Sequence, residues 1–198
     1  DEGNAHAQYY LGDLYLNGLG VPQDIETASK WFTLAAERGH AQSKINVAVI
    51  SSACQKGFIA AKQGDFASAL EEFKPLADEG DAIAQYYMGD IYLNGLGVPQ
   101  DIETASKWFT LSAERGYAEA QNNMAVISSD KLFGRGYKDA VKWYTLAAEQ
   151  GHAPAQLGLG AMYDNGWGVS RDPEVAIKWY THAAEQWYSP AQFNLGAM

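Results

Sequence analysis

One stretch of twenty residues occurs twice without a single difference, and this repetition constrains the fold more than any other feature of the chain. The segment YLNGLGVPQDIETASKWFTL runs from Tyr15 to Leu34 and again from Tyr92 to Leu111. A looser copy, YDNGWGVSRDPEVAIKWYTH, spans Tyr163 to His182. Self-similarity at a fixed spacing indicates a repeat architecture, in which each unit buries its apolar side against its neighbours.

The units recur at a nearly constant spacing. Aligned on the residue that follows each Ala-Glu-x or Asp-Glu segment, they start at Gly3, Gly39, Gly80, Gly116, Gly151 and Trp187, in steps of 36, 41, 36, 35 and 36 residues. We therefore expect a single repeat array over 1–198, with repeats at about 3–38, 39–79, 80–115, 116–150 and 151–186 and a half repeat at 187–198. The unit at 39–79 is irregular, and the unit at 116–150 has a shorter loop.

Each unit has the pattern of two helices joined by a glycine-rich turn. In the first unit, Ala7, Leu11 and Tyr15 lie four residues apart and form one stripe of a first helix. Ala28, Phe32 and Ala35 form the inner stripe of a second helix. A single helical hairpin cannot bury such stripes alone, so the pattern predicts an all-α fold, an α/α superhelix (solenoid) of stacked antiparallel helix pairs.

Helix ends and close contacts are also predicted from residue types. Asn4, Asp81 and Ser189 stand where an N-cap side chain would accept hydrogen bonds from the first turn. Small residues are expected where helices approach each other closely, and Gly12, Gly89 and Gly160 occupy such positions in the first helices. The tryptophans of the second helices are expected to pack between helices: Trp31, Trp108, Trp143 and Trp179.

The pattern AxAQxxLGxxYxxGxGVxxDxxxAxxWYxxAAExG resembles the Sel-one-like repeat (SLR) family, which is a close relative of the tetratricopeptide repeat. The third unit carries it at Ala84, Gln85, Gly89, Tyr92, 95–98, Asp101, Ala105, Trp108, Phe109, Ala113, Glu114 and Gly116. The resemblance covers nearly the whole chain. It implies an α-solenoid that binds other proteins on a concave face.

Two units depart from this pattern. Between Gly39 and Glu79 the glycine turn and the tryptophan are missing, and the segment from Ala60 to Gly80 is closer to a tetratricopeptide-type second helix. The helix before it is expected to run on from His40 to about Lys62. In the unit at 116–150, the turn is the shorter segment 130–136.

Charge and cysteine content limit the classes of partner. The formal net charge is −10, and the 14 basic residues are scattered singly among 24 acidic ones. Nucleic-acid binding depends on lysine and arginine neutralising phosphates, so nucleic acid is not an expected partner. No apolar run approaches the ~20 residues that span a bilayer. With Cys54 alone no intrachain disulfide can form, and both a bacterial periplasmic or secreted location and the cytoplasm remain open.

The sequence offers little for catalysis, so we expect no cofactor, no metal site and no enzyme. None of the four histidines lies in an HExxH motif or beside a cysteine. Ser128 and Lys131 match the short SxxK pattern of penicillin-interactive enzymes, but no KTG follows. The cysteine-rich branch of the family has a suggested penicillin-binding activity, and this chain lacks the disulfides of that branch. A penicillin-interactive hydrolase and a purely structural spacer remain the alternatives to an interaction scaffold.

By analogy with tetratricopeptide repeats, the first helices would line the concave face. The partner-binding positions are then His6, Tyr9, Asp13, Ile83, Tyr86, Asp90, Glu119, Asn122 and Leu157, together with Leu16, Leu93, Val126 and Asp164. Tyrosine and aspartate together suit a protein or peptide that carries basic or aromatic side chains. Packing of the tyrosines between units is the alternative. Because residues 187–198 form only half a repeat, the sequence is interpreted as a fragment of a longer chain, and self-association through open solenoid ends is the alternative.

Overall fold

The computed structural model describes residues 4–129 and 136–198, and helices joined by short connections make up these segments. No strand occurs in the described residues, which confirms the all-α class. The helices are α1 (Ala5–Asn17), α2 (Ile25–Glu37), α3 (Ala41–Ile50), α4 (Gln55–Lys62), α5 (Phe66–Glu79), α6 (Ala82–Asn94), α7 (Ile102–Glu114), α8 (Ala118–Ser129), α9 (Tyr137–Glu149), α10 (Ala153–Asn165), α11 (Pro173–Glu185) and α12 (Ser189–Ala197).

The helices stack as successive pairs. The pairs α1–α2, α6–α7, α8–α9 and α10–α11 make the most extensive contacts, and the second helix of a pair packs on the helix that follows it. Sequence neighbours therefore supply nearly all of the packing, as expected for an α-solenoid.

In three of the helix pairs, a glycine of the first helix lies directly against an aromatic ring of the second helix. A Cβ atom built at Gly12, Gly89 or Gly160 would lie 2.7, 2.6 or 2.6 Å from the ring of Phe32, Phe109 or Tyr180, respectively. Such distances are far below van der Waals contact, so only glycine allows this approach. The expected role of these three glycines is confirmed.

The turns between the helices of a pair also require glycine. Gly18 and Gly20 have φ angles of 68° and 74°, in the left-handed region. After this turn the Asp24 N–H donates to the Tyr15 carbonyl at 2.9 Å, and the Gln23 side chain donates to the Leu16 carbonyl at 2.8 Å. These bonds fix the approach of the second helix to the first.

The irregular unit differs from the expectation of one long helix. The predicted helix from His40 to about Lys62 is wrong, because α3 ends at Ile50 and α4 begins at Gln55. The Ser52 hydroxyl donates to the Val49 carbonyl at 2.7 Å and accepts from the Cys54 N–H at 3.1 Å. These local side-chain bonds compete with helical hydrogen bonds and stabilise the break.

The helix α4 then takes the place of a first helix in the irregular unit. A Cβ atom at Gly57 would lie 2.7 Å from the Phe73 ring of α5. The same contact between glycine and an aromatic ring therefore recurs where the sequence period is lost.

One of the three predicted N-caps is wrong. The Asn4 carboxamide accepts from the N–H groups of His6 and Ala7, and the Asp81 carboxylate accepts from Ala84. Ser189, in contrast, is the first residue of α12, and Tyr188 occupies the cap position without a side-chain bond. Tyr188 aligns with His152, whose imidazole Nδ1 accepts from the Ala155 N–H, so the cap lies one residue earlier than expected.

Three of the four tryptophans of the second helices pack against buried clusters, as expected. Trp108 packs against the cluster that contains Phe73, while Trp143 and Trp179 pack against the cluster around Tyr144.

Candidate functional site

A cleft of about 280 Å³ lies where α3, α4, α6 and α8 meet. Tyr86, Asp90 and Glu119, which were predicted from three first-helix positions, line this cleft together. Residues of the irregular unit complete its wall, chiefly Phe58, Lys62 and Gln42. The cleft therefore combines aromatic rings, two carboxylates and one amine from successive units.

Aromatic rings form a continuous wall beside the carboxylates. Tyr86 contacts Tyr87, Phe109 and Tyr117, with ring centroids 5.3, 5.8 and 5.2 Å away. Tyr87 stacks on Phe73 at 4.8 Å and lies 5.9 Å from Phe58. Both tyrosines are half-buried, so they pack between units and also line the cleft.

The two carboxylates of the cleft lie in an environment that disfavours their charge. Burial raises the pKa of Asp90 above its usual range, and the hydrogen bond from Asn94 Nδ2, at 2.9 Å, opposes this. Burial also raises the pKa of Glu119. The pKa of Tyr86 is raised by burial and then by the negative charges of Asp90 and Glu119.

An adjoining cleft of about 530 Å³ lies next to this one and includes Asp13, Asn17 and Lys62. The Lys62 Nζ lies 3.5 Å from the Asp13 carboxylate and 5.7 Å from the centroid of the Phe58 ring. Lys62 lines both clefts, which therefore lie side by side, and the two together are called the groove below.

In the first unit, two of the predicted partner-binding residues, His6 and Tyr9, belong to a separate group of aromatic rings. Tyr9 stacks on His40 at 4.6 Å and lies 5.8 Å from Phe32, while the exposed His6 contacts His40 edge-on at 4.9 Å. Burial, and then the charge of His6, lower the pKa of His40.

The remaining predicted positions are more dispersed. Ile83 packs against the core around Met88, and Leu157 packs against the cluster around Ala183. Asn122 is half-buried on α8. Leu16 is only 1% exposed and belongs to the core, so its predicted place in the groove is wrong.

The described residues give little support for a catalytic serine, a metal site or a membrane-spanning helix. Ser128 is 2% exposed, and Lys131, its partner in the SxxK pattern, lies outside the described residues. Within residues 4–129 and 136–198, no group of three or more His, Cys, Asp or Glu side chains is placed to hold a metal ion. None of the helices in these segments has the length and apolar character needed to cross a membrane.

Sequence reasoning missed the part of the cleft that the irregular unit supplies. Lys62 and Phe58 lie where the repeat pattern is broken, so no alignment of units could place them. Gln42, in contrast, aligns with Glu119 at the 77-residue offset that relates the two identical segments.

The fold and this groove define the class of protein: an α-solenoid of stacked helix pairs with an aromatic and acidic groove across several repeats. The Sel1 repeat matches the chain at residues 5–40, 82–117, 118–152 and 153–186. The chain belongs to the Sel1 repeat family, whose members are generally protein-interaction scaffolds or regulators. Residues 41–81, which include nearly all of the irregular unit, lie outside these matches, as do residues 1–4 and 187–198.

Two similar curated proteins are much longer than this chain. Chitin synthase regulatory factor 3 of Schizosaccharomyces pombe is 29% identical over 123 residues, which is 62% of this chain and 13% of that protein. Protein sel-1 homolog 2 of Mus musculus is 33% identical over 103 residues, which is 52% of this chain and 15% of that protein. The chain thus spans a small part of the curated relatives that it matches.

Solved structures support the same fold over almost the whole chain. A protective antigen of uropathogenic Escherichia coli strains that displays an SLR fold superposes with a TM-score of 0.69 and 35% identity, over 98% of this chain and 41% of the antigen. A Sel1 repeat protein from Oxalobacter formigenes gives a TM-score of 0.64 and 27% identity, over 98% of this chain and 76% of that one.

Proposed function

We propose that this chain is a non-catalytic interaction scaffold whose first-helix groove binds an extended segment of a protein partner. The cleft between α3, α4, α6 and α8 carries the proposal, because it brings together Tyr86 and Asp90 of one unit and Glu119 of the next. A groove shared by successive repeats suits an extended chain, which contacts each unit in turn.

The composition of the groove supports a protein partner. Tyrosines supply large contact area at low cost in side-chain entropy, and they recur at binding hot spots. The carboxylates add directional contacts to polar or basic groups. The similar fungal protein, chitin synthase regulatory factor 3, has a regulatory name, and a regulator acts by recognising another protein.

The alternatives have less support in the molecule. The buried Ser128 hydroxyl is poorly placed to act as a nucleophile toward a penicillin-like substrate. A purely structural spacer would have no need for carboxylates in a half-buried aromatic cleft, where their charge is disfavoured.

A peptide selection tests the proposal directly. Random peptides displayed on phage are selected against the folded chain, and the enriched peptides are then titrated by fluorescence anisotropy. The groove variant carries Tyr86→Ala with Asp90→Ala. The control carries Glu103→Ala with Lys107→Ala, which removes an exposed ion pair of 2.8 Å on α7.

We expect the groove variant to weaken binding by at least roughly tenfold, since central aromatic residues carry much of the binding energy. The control should bind as the unchanged chain does. Circular dichroism should show the same helix content in all three proteins. Failure to enrich any peptide, or equal weakening by both variants, would overturn the proposal and favour a spacer.

A further inference from the structure

The duplicated segments place the same aspartate in two different environments. Asp13 and Asp90 are equivalent at the offset of 77 residues, and each follows a tyrosine pair on a first helix. Asp13 has a cation beside it, because Lys62 Nζ lies 3.5 Å from its carboxylate. Among the described residues, no lysine, arginine or histidine nitrogen lies within 4 Å of Asp90 or Glu119.

The groove itself shows how it accommodates a cation. Lys62 lies over the Phe58 ring, with Nζ 5.7 Å from the centroid, and pairs with Asp13 at the same time. An ammonium group between an aromatic face and a carboxylate gains from both contacts. Lys62 and Phe58 also line the 280 Å³ cleft, where Tyr86 and Tyr87 with Asp90 and Glu119 offer the same combination of aromatic rings and carboxylates. The volume of this cleft is sufficient for one long side chain.

We propose that the cleft formed by Tyr86, Asp90 and Glu119 is a specific subsite for one lysine or arginine side chain of the bound partner. This inference rests on the proposed function, and it specifies that the partner residue bound in the cleft is basic. The aliphatic stem lies along the tyrosine rings, and the cationic head pairs with the two carboxylates.

The charge balance favours this occupant over an acidic or apolar one. Two carboxylates in one small cleft repel an anionic side chain. An apolar side chain would leave both charges buried and unpaired, which costs more than pairing them. Burial raises the pKa of both Asp90 and Glu119, and a cation of the partner placed between them would favour their charged forms.

Short peptides of defined composition test the subsite. The probes are acetylated, amidated pentapeptides of sequence Ala-Ala-X-Ala-Ala, in which X is lysine, arginine, norleucine or glutamate. Each is titrated into the ¹⁵N-labelled chain, and backbone amide shifts report both the affinity and the place of binding. Norleucine matches the stem of lysine without its charge.

Two double variants separate the subsite from general electrostatic attraction. Asp90→Asn with Glu119→Gln removes two charges from the cleft. Glu26→Gln with Glu103→Gln removes two charges from exposed ion pairs, so both variants have the same net charge.

We expect the lysine and arginine peptides to shift amide signals in α6 and α8, with Kd values at least roughly tenfold below that of the norleucine peptide. The cleft variant should abolish this preference, and the control variant should retain it. Equal binding of norleucine, shifts spread over the whole acidic surface, or an unchanged preference in the cleft variant would overturn the inference. If phage-selected peptides bind the groove without a basic residue, the scaffold function stands and only the subsite is lost.

Discussion

Gln121 and Gln150 form a side-chain hydrogen bond of 2.7 Å, in which Gln150 Nε2 donates to Gln121 Oε1. Gln121 Nε2 in turn donates to the carbonyl of Ala113, at the end of the preceding second helix, at 3.1 Å. Gln156 repeats this arrangement, with Gln186 as its donor at 2.8 Å and the Ala148 carbonyl as its acceptor at 3.2 Å. One buried glutamine in each of these first helices therefore connects three helices.

Removing this connection should destabilise the array. In Gln121→Leu the buried Ala113 carbonyl loses its side-chain donor, and Gln150 loses its acceptor. The Ala113 carbonyl keeps its bond from the Gly116 N–H at 3.0 Å, and the exposed Gln150 can bond to water. We therefore expect the free energy of unfolding to fall by about 0.5–1.5 kcal/mol, the usual net contribution of a hydrogen bond. Urea denaturation followed by circular dichroism measures the change.

The matched control for this change is Gln192→Leu. Gln192 occupies the same repeat position, but its side chain is exposed and lies 3.4 Å from the Ala184 carbonyl. Its replacement should have little effect. Equal losses in both variants would show that the buried hydrogen bonds add nothing specific.

The contact between Gly89 and Phe109 gives a second prediction. In Gly89→Ala the added methyl group would lie 2.6 Å from the Phe109 ring, so the two helices would have to move apart. Overpacking of this kind costs about 1–3 kcal/mol, which outweighs the roughly 1 kcal/mol that alanine gains over glycine in a helix.

Thermal unfolding of Gly89→Ala and Gly196→Ala compares a methyl group added against a ring with a methyl group added where there is open space. A Cβ atom at Gly196 in α12 would meet nothing within 4 Å. We therefore expect a lower Tm for Gly89→Ala and an unchanged or slightly higher Tm for Gly196→Ala. A rise in Tm at both sites would contradict the close approach of α6 and α7.

The fold was largely predictable because its determinants recur. Gly12, Gly89 and Gly160 stand in the same register as the aromatic residues they contact, so one unit explains the others. The break between α3 and α4 was not predictable in this way. It depends on hydroxyl groups of Ser51 and Ser52 that bond back to the helix, and the described parts of the other units contain no equivalent break to compare.

The candidate site was predictable only in part, for a related reason. Tyr86, Asp90 and Glu119 occupy first-helix positions, and the structure brings them into one cleft. Lys62 and Phe58 come from the irregular unit, where the period that would have placed them is missing. Burial also could not be read from the sequence, since Leu16 was expected in the groove and is in the core.

His152 should make the stability of the array depend on pH. Its Nδ1 accepts from the Ala155 N–H at 3.2 Å as the N-cap of α10, and burial lowers its pKa to about 4. The folded state therefore binds fewer protons than the unfolded state, in which histidine titrates near 6.5. The contribution of neutral His152 is present above about pH 6.5 and is lost as the pH falls toward about 4.

The variant His152→Asn retains a capping oxygen and removes the titration. Between about pH 7 and pH 4, we expect the unchanged chain to lose on the order of 3 kcal/mol more unfolding free energy than this variant. Urea denaturation at several pH values measures the difference. His182→Asn is the control, since the His182 side chain is 58% exposed. This replacement should leave the loss of unfolding free energy at low pH nearly unchanged. Identical pH profiles for the unchanged chain and His152→Asn would contradict the prediction.

The carboxylates of the cleft should have the opposite effect on stability. The pKa values of Asp90 and Glu119 are raised in the folded state, so that state binds protons more readily than the unfolded chain. Each charge therefore lowers stability above its folded pKa, and this cost disappears as the pH falls through that value. We expect Asp90→Asn with Glu119→Gln to raise the Tm at pH 7 by a few degrees, since ~1 kcal/mol shifts Tm by about 2–4 °C in a chain of this size.

Differential scanning calorimetry at neutral and acidic pH separates this effect from a change in net charge. The control is again Glu26→Gln with Glu103→Gln, which removes two exposed charges that already pair with lysines at 2.8 Å. The gain of the cleft variant over the control should vanish in acid, where Asp90 and Glu119 are protonated in the unchanged chain. A Tm below that of the control at pH 7 would mean that the two carboxylates stabilise the free protein. They would then have a structural role, and their charge would not be reserved for a cationic partner.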